Sequence, residues 1–196
     1  MNDAQLPAAV PFAHQYLAEL GRVLAALPIA DLGRAMDEIE RIRTSGRQLF
    51  IAGNGGSAAT ATHMGNDLIW GLAQVGGRPL RAVALADNLA LTTAVANDAG
   101  YAEIFSVPLR ALAQPGDALL VITGSGNSPN ILRALDVARE MGLVTIGFLG
   151  RGGGKALSML DIAVVVPSAN YGPIEDVHMV FDHLLISWLR ARAASG

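Results

Sequence analysis

Two histidine–carboxylate groups hold most of the chemistry this chain could perform. His63 and Asp67 stand four residues apart in a small-residue segment, so on a helix they share one face. That spacing suits a metal ion or an acid/base pair, although such a pair taken alone is more often structural. Glu175, Asp176, His178, Asp182 and His183 crowd a second, otherwise apolar stretch. A solvated face explains them poorly, because Val177, Val180, Phe181, Leu184 and Leu185 demand a buried side close by. Glu175 and His183 are eight positions apart, which on one straight helix separates their α-carbons by about 12 Å along the axis. Both reach one ion only if the helix starts after Glu175 or if they come from different subunits, and that favours a shared site in an oligomer. His14 reads as a surface or packing residue of a leading helix.

Two turns complete the set. An apolar run at 49–52 stops at Gly53-Asn54-Gly55-Gly56-Ser57, and another at 118–122 stops at Thr123-Gly124-Ser125-Gly126-Asn127-Ser128. Each reads as a strand, a tight turn and a helix, which leaves backbone N–H groups free at a positive helix end and so suits a phosphate. The second turn adds the hydroxyls of Thr123, Ser125 and Ser128 and contains no Lys or Arg. Hydrogen bonds and the helix dipole together can hold a phosphate monoester there. One such turn is as easily an ordinary Gly/Ser connection; two at successive strand ends favour phosphate. Neither matches G-x-G-x-x-G or G-x-x-x-x-G-K-[ST], so a dinucleotide or nucleoside triphosphate is not expected.

The elements that must position these groups follow from the apolar pattern. Residues 9–28 carry Phe12, Tyr16, Leu20, Val23, Leu24 and Leu27 at helical spacing and close at Pro28. Asp31 looks like the N-cap of a second helix with Leu32, Ala35, Met36, Ile39 and Ile42 on one face. Two helices exceed what an α/β sheet needs to begin, and packing on a partner subunit is their favoured use. Strands are expected at 49–52, 80–85, 118–122, 143–149 and 162–166. Helices are expected from Asp87 to Val95, around 104–112, from Pro129 to about Met141, near 155–160 and over 174–192, with Asn97-Asp98 in a loop. Strands apolar throughout and alternating with helices indicate a parallel sheet covered on both faces. The fold class is α/β, a three-layer, five-stranded parallel sheet of flavodoxin-like or Rossmann-like form, with ligands beyond the carboxyl ends of the strands. It reads as a single domain over 1–196, a helical extension over 1–46 and an α/β core over 47–196.

Composition narrows the class of function. With 196 residues, 52% of them hydrophobic, there is apolar material for one sizeable core. Charged residues make up 16% and the net charge is −3, so nothing draws the chain to nucleic acid by bulk electrostatics. The absence of cysteine excludes disulfides and thiolate metal sites. The first twelve residues lack the basic start and apolar stretch of a signal peptide, and no apolar window is long enough to span a membrane. A cytoplasmic location is expected.

Taken together, G-N-G-G-S at the first strand end, T-G-S-G-N-S at a later one and the terminal E-x-x-H-x-x-x-x-H helix resemble the SIS (sugar isomerase) domain family, and within it the phosphoheptose isomerases. The resemblance covers nearly the whole chain. It implies a homotetramer with sites between subunits, working in carbohydrate metabolism and heptose biosynthesis. The reaction implied is metal-dependent ketose–aldose isomerisation of sedoheptulose 7-phosphate through an enediol. Ser57, Thr123, Ser125 and Ser128 would hold the phosphate, with Asn54, Gly55 and Glu175 also on the substrate, and Asp98 would bind sugar hydroxyls. His63, Asp67, Glu175 and His183 fall where the family coordinates zinc. Asp67 falls on the family's proposed general base and His183 on its acid/base histidine.

Five positions depart from the family's pattern. Its glutamate is Asp67 here, one methylene shorter, and its glutamine is Glu175, which adds a charge. Two imidazoles and two carboxylates make a set formally neutral with a divalent ion, so tighter binding is expected, zinc first and manganese or iron next. Gly71 stands near a usual arginine, Gly124 on a threonine and Gly172 on an aspartate, all around the expected sugar. Those losses leave room for another phosphosugar as substrate, or for an epimerase. The alternative from a different class is a non-catalytic SIS module that senses a phosphosugar or binds a protein, of the initiator-associating type.

Overall fold

The apolar runs become strands, and the segments between them become helices laid on both faces of one sheet. The computed structural model describes residues 7–194, so the signal-peptide reading of the first twelve residues falls in part outside the described residues. In chain order the elements are α1 (Ala9–Ala25), α2 (Ile29–Thr44), β1 (Gln48–Gly53), α3 (Gly56–Asn66), β2 (Arg81–Ala84), α4 (Leu89–Asp98), α5 (Ser106–Leu112), β3 (Ala118–Thr123), α6 (Pro129–Glu140), β4 (Val144–Leu149), β5 (Ile162–Val165) and α7 (Tyr171–Ala194). The strands form a five-stranded sheet in the order β2-β1-β3-β4-β5, and every pairing is parallel. This confirms the expected α/β sheet.

Successive residues of a strand point to opposite faces, and here both faces are apolar because both are covered. Leu49 and Ile51 of β1, with Leu120 and Ile122 of β3, pack with α2, α3 and α7. Phe50 and Ala52, with Leu119 and Val121, pack with α4, α5 and α6. The α2 face anticipated from spacing, Leu32, Ala35, Met36, Ile39 and Ile42, is buried in full. By contrast α1 is mostly exposed, with Val10, Phe12 and Leu17 facing out. Among the described residues no helix is long and apolar enough to cross a membrane.

Several boundaries differ from expectation for local reasons. Asp31 does not cap α2; the helix opens at Ile29, and Asp31 instead accepts from Arg34 Nη2 at 3.0 Å within the first turn. Asp87 is occupied by the Thr62 hydroxyl, so Asn88 caps α4 through the Leu91 N–H at 3.0 Å. That helix runs on to Asp98, which puts Asn97 and Asp98 in its last turn rather than in a loop. The last helix starts at Tyr171, before Glu175. Pro173 does not prevent this, because first-turn N–H groups have no helical acceptor to lose.

Candidate functional site

Strand order brings the two turns together. From β1 the chain moves outward to β2 and then returns to β3 on the other side, so the connections leaving β1 and β3 diverge and open a crevice between them. Gly53 is the register partner of Ile122, so both turns begin at one level. Their side chains are tied directly: the amides of Asn54 and Asn130 exchange hydrogen bonds of 2.9 and 2.8 Å, and the Tyr101 hydroxyl donates to Asn54 Oδ1 at 3.0 Å. The first turn needs glycine at its start, because a methyl group on Gly53 would lie 2.5 Å from the Ser57 carbonyl oxygen. In the second turn Thr123 Oγ1 accepts the Gly126 N–H and Ser125 Oγ accepts the Asn127 N–H, each at 3.2 Å.

The resulting pocket is lined by Asn54, Ser57, Ile122, Thr123, Gly124, Ser125, Ser128, Tyr171 and Glu175. Four hydroxyl-bearing residues of the two turns thus converge, and no Lys or Arg is among the described residues that line it. An anion here would be held by hydroxyls and N–H groups at the starts of α3 and α6. Glu175 reaches the same place: a methyl group on Gly56 would lie 2.6 Å from its Oε2.

A second group forms where α3 and α7 approach. His63 Nε2 lies 3.3 Å from His183 Nε2, 3.5 Å from Asp67 Oδ2 and 3.7 Å from Asp182 Oδ2. One donor atom from each of the four residues lies within 4.8 Å of the other three. After Asn66 the helix widens into a π-helical turn, Asp67–Gly71, a distortion common at functional sites. His63 and His183 are exposed, Asp67 is half-buried and Asp182 is buried. Nitrogen and oxygen ligands sit about 2.0–2.2 Å from zinc, so a tetrahedron of them has edges of about 3.3 Å. The three spacings from His63 Nε2 are close to that edge and all four donors lie within 4.8 Å of one another, so the residues fit a divalent cation. Burial, and then the neighbouring charge of Asp67, pushes the Asp182 carboxyl up from 3.8 to about 7, against the opposing pull of His63.

Of the four ligands expected from sequence, His63, Asp67 and His183 come together within one chain. Glu175 does not join them there: α7 is continuous, so the first of the two conditions for sharing an ion is not met, and Glu175 stands in the pocket between the turns. Gly55 lies exposed in the first turn, and Asp98 is exposed, held by Asn97 Nδ2 at 2.7 Å and outside the pocket lining. Spacing alone does not single out Asp182; its signal is adjacency to His183 beside Phe181 and Leu185, which are buried. Tyr171 covers the pocket, and a methyl group on Gly124 would lie 2.8 Å from its Cε1. At Gly172 a methyl group would meet the Tyr16 hydroxyl at 2.7 Å, which donates to Asp176 Oδ2 at 2.5 Å. Tyrosines therefore fill the space beside two of the glycines.

His178 serves the core instead. Its ring is buried beside the Leu149 backbone, and burial pushes it down from 6.5 to about 4 against the pull of that contact. Between those values the unfolded chain takes up a proton that the native one refuses, so this residue costs stability as pH falls, up to about 3 kcal/mol. Asp182 acts oppositely: between 3.8 and about 7 the metal-free native state keeps a proton that the unfolded chain has lost. The two effects oppose one another in the shared window. Asp182→Asn is therefore expected to steepen the fall in melting temperature of metal-free protein between pH 6.5 and 4, by several degrees. An unchanged slope would mean that Asp182 has already lost its proton in the fold over that range.

Comparison with known proteins gives the family and the fold. Residues 15–150 match the SIS domain family, a span containing both turns, His63 and Asp67. The phosphoheptose isomerase of Trichlorobacter lovleyi is 40% identical over 158 residues, covering 81% of this chain and 79% of that protein. That of Paramagnetospirillum magneticum is 43% identical over 156 residues, covering 80% of each. The structure of a phosphoheptose isomerase from Francisella tularensis superposes with a TM-score of 0.89 at 30% identity, covering 94% of this chain and 100% of that one. The Neisseria gonorrhoeae phosphoheptose isomerase gives 0.86 at 28% identity, over 94% and 100%.

Proposed function

The chain belongs to the SIS domain family, among its phosphoheptose isomerases, and we propose that it interconverts sedoheptulose 7-phosphate and an aldoheptose 7-phosphate through an enediol. The observation that carries this reading is the similarity to phosphoheptose isomerases over most of both chains, at a level where fold and site travel together. The phosphate sits between the two turns, accepting from Ser57, Thr123, Ser125 and Ser128 and from turn N–H groups, with Asn54 and Gly55 at its rim. Glu175 and Asp98 take hydrogen bonds from sugar hydroxyls.

Asp67 removes the proton from the carbon beside the carbonyl and returns it to the neighbouring carbon, which requires it within hydrogen-bond reach of both. His183 moves the proton between the two oxygens. His63, Asp67 and His183 would hold a divalent ion, zinc in the first instance, with manganese or iron as substitutes. When bound, that ion supplies the positive charge that stabilises the developing oxyanion.

The same reading includes a cytoplasmic homotetramer with its sites at subunit interfaces. It is supported by the apolar rim of the four-donor group, where Ile69 (45%), Trp70 (60%), Val180 (36%) and Leu184 (38%) remain exposed in one chain. The outward face of α1 supplies a further contact surface.

The test is direct: purified protein supplied with zinc should convert sedoheptulose 7-phosphate to an aldoheptose 7-phosphate, followed by chromatography of the sugars. Failure on every C5–C7 phosphosugar would overturn the reading. One variant probes the pocket. Glu175→Gln removes a negative charge from beside the phosphate while keeping a hydrogen-bonding side chain, so KM should fall about fivefold, more at low salt. A rise in KM would show that the charge itself binds substrate.

A further inference from the structure

Among the described residues, the least explained polar group is the Asp182 carboxylate. It is 0% exposed, and neither oxygen has a hydrogen-bond partner. A buried carboxylate in that state is costly unless it is paired or coordinates a metal. Its Oδ2 lies 3.7 Å from His63 Nε2, too long for a hydrogen bond but close to the spacing between two ligands of one ion. Asp67 Oδ2 and His183 Nε2 stand at 3.5 and 3.3 Å from that same nitrogen.

Resting on the metal-binding reading above, we infer that Asp182 is the fourth protein ligand of this centre. His63, Asp67, Asp182 and His183 of one chain then make a four-donor set, two imidazoles and two carboxylates, formally neutral with a divalent ion that can expand to a fifth ligand. Helix geometry gives the pair on α7 different tasks. Adjacent residues project about 100° apart, so His183 grips from the exposed side and Asp182 from the core side. Glu175, two turns earlier and in the pocket between the glycine–serine turns, is not required for the metal and stays with the substrate. Four donors of the centre thus come from one chain.

Cobalt(II) provides a readout independent of activity. The chain has no cysteine, so a thiolate introduced at one position is the sole source of a sulfur-to-cobalt charge-transfer band. Asp182→Cys in the full chain, stripped of metal and titrated with cobalt, should show that band, and Glu175→Cys should not. Asp182→Asn should bind cobalt at least tenfold more weakly than the unaltered chain, about the cost of losing even an outer-shell partner, while Glu175→Gln binds it unchanged. Circular dichroism of the metal-free variants checks that each is folded. A band in Glu175→Cys, no band in a folded Asp182→Cys, or full affinity in Asp182→Asn would each overturn the inference. If the unaltered chain binds no cobalt, the metal reading falls as well, and the two failures are thereby distinguished.

Discussion

The His63→Ala, His183→Ala double variant is expected to lose its metal and, with it, at least about 1,000-fold in kcat for heptose phosphate isomerisation. These imidazoles stand 3.3 Å apart, one on α3 and one on α7. Two carboxylates would be left at a half-open site, too few ligands for a zinc-type centre. Deleting a single group that stabilises a developing oxyanion costs about 10²–10³ in kcat, and losing the ion removes the dominant one. Elemental analysis should find about one metal per chain in the unaltered protein and none in the variant. A second signature is thermal. An ion at 1,000 times its dissociation constant stabilises the native state by about 4 kcal/mol, so added zinc should raise the melting temperature of the unaltered protein and leave the variant's in place. Metal retained by the variant, or activity that survives without metal, would sink the metal-dependent mechanism.

Much of this architecture was legible in the sequence because parallel strands buried on both faces carry an unbroken apolar signal. Leu49–Ala52 and Ala118–Ile122 could be read as strands, and the glycine–serine runs that end them as turns, without knowing what they touched. The face of α2 was legible for a similar reason: its five apolar residues repeat at helical spacing and all are buried. Helix starts were less legible, since capping is a competition. Asp31 and Asp87 are both good caps by type, yet each is bound by a neighbouring side chain, Arg34 and Thr62, and the helices begin elsewhere.

The site was legible up to the point where it depends on contact between distant elements. His63 and Asp67 announce themselves by their spacing of four, and His183 by the resemblance. That α3 approaches α7 along their histidine-bearing faces is a matter of packing, which no local pattern encodes. Asp182 becomes visible as a donor only through that approach, since on its own helix it is an acid among Phe181, Leu185 and Ile186. The departures at Gly124 and Gly172 read as losses in sequence, but in the structure the neighbouring volume belongs to Tyr171 and Tyr16. Tyr171 lines the pocket, whereas Tyr16, read in sequence only as one apolar position of the first helix, sits against Gly172 and Asp176.

Asp67 is where this chain departs most consequentially from the family pattern, and its two simplest replacements should behave differently. Asp67→Asn keeps the shape but removes both the base and an anionic donor, so kcat should fall by about 10²–10⁴, the usual contribution of a positioned acid/base group. Asp67→Glu restores the residue type of the resemblance, which suggests a gain; the geometry argues for a loss. Asp67 Oδ2 already stands 3.5 Å from His63 Nε2, at ligand spacing, with Oδ1 accepting from Asn66 Nδ2 at 3.2 Å. One more methylene pushes the carboxylate past that position by about 1 Å, a displacement that costs about 10²-fold when reacting groups are misaligned. Metal content separates the roles. Asp67→Asn with metal retained and kcat lost identifies a base, whereas loss of both identifies a ligand, since losing the ion is enough to remove the activity. Activity of Asp67→Glu at or above that of the unaltered chain would instead mean that the π-helical turn after Asn66 yields to the longer side chain, and that the short acid is not matched to its surroundings.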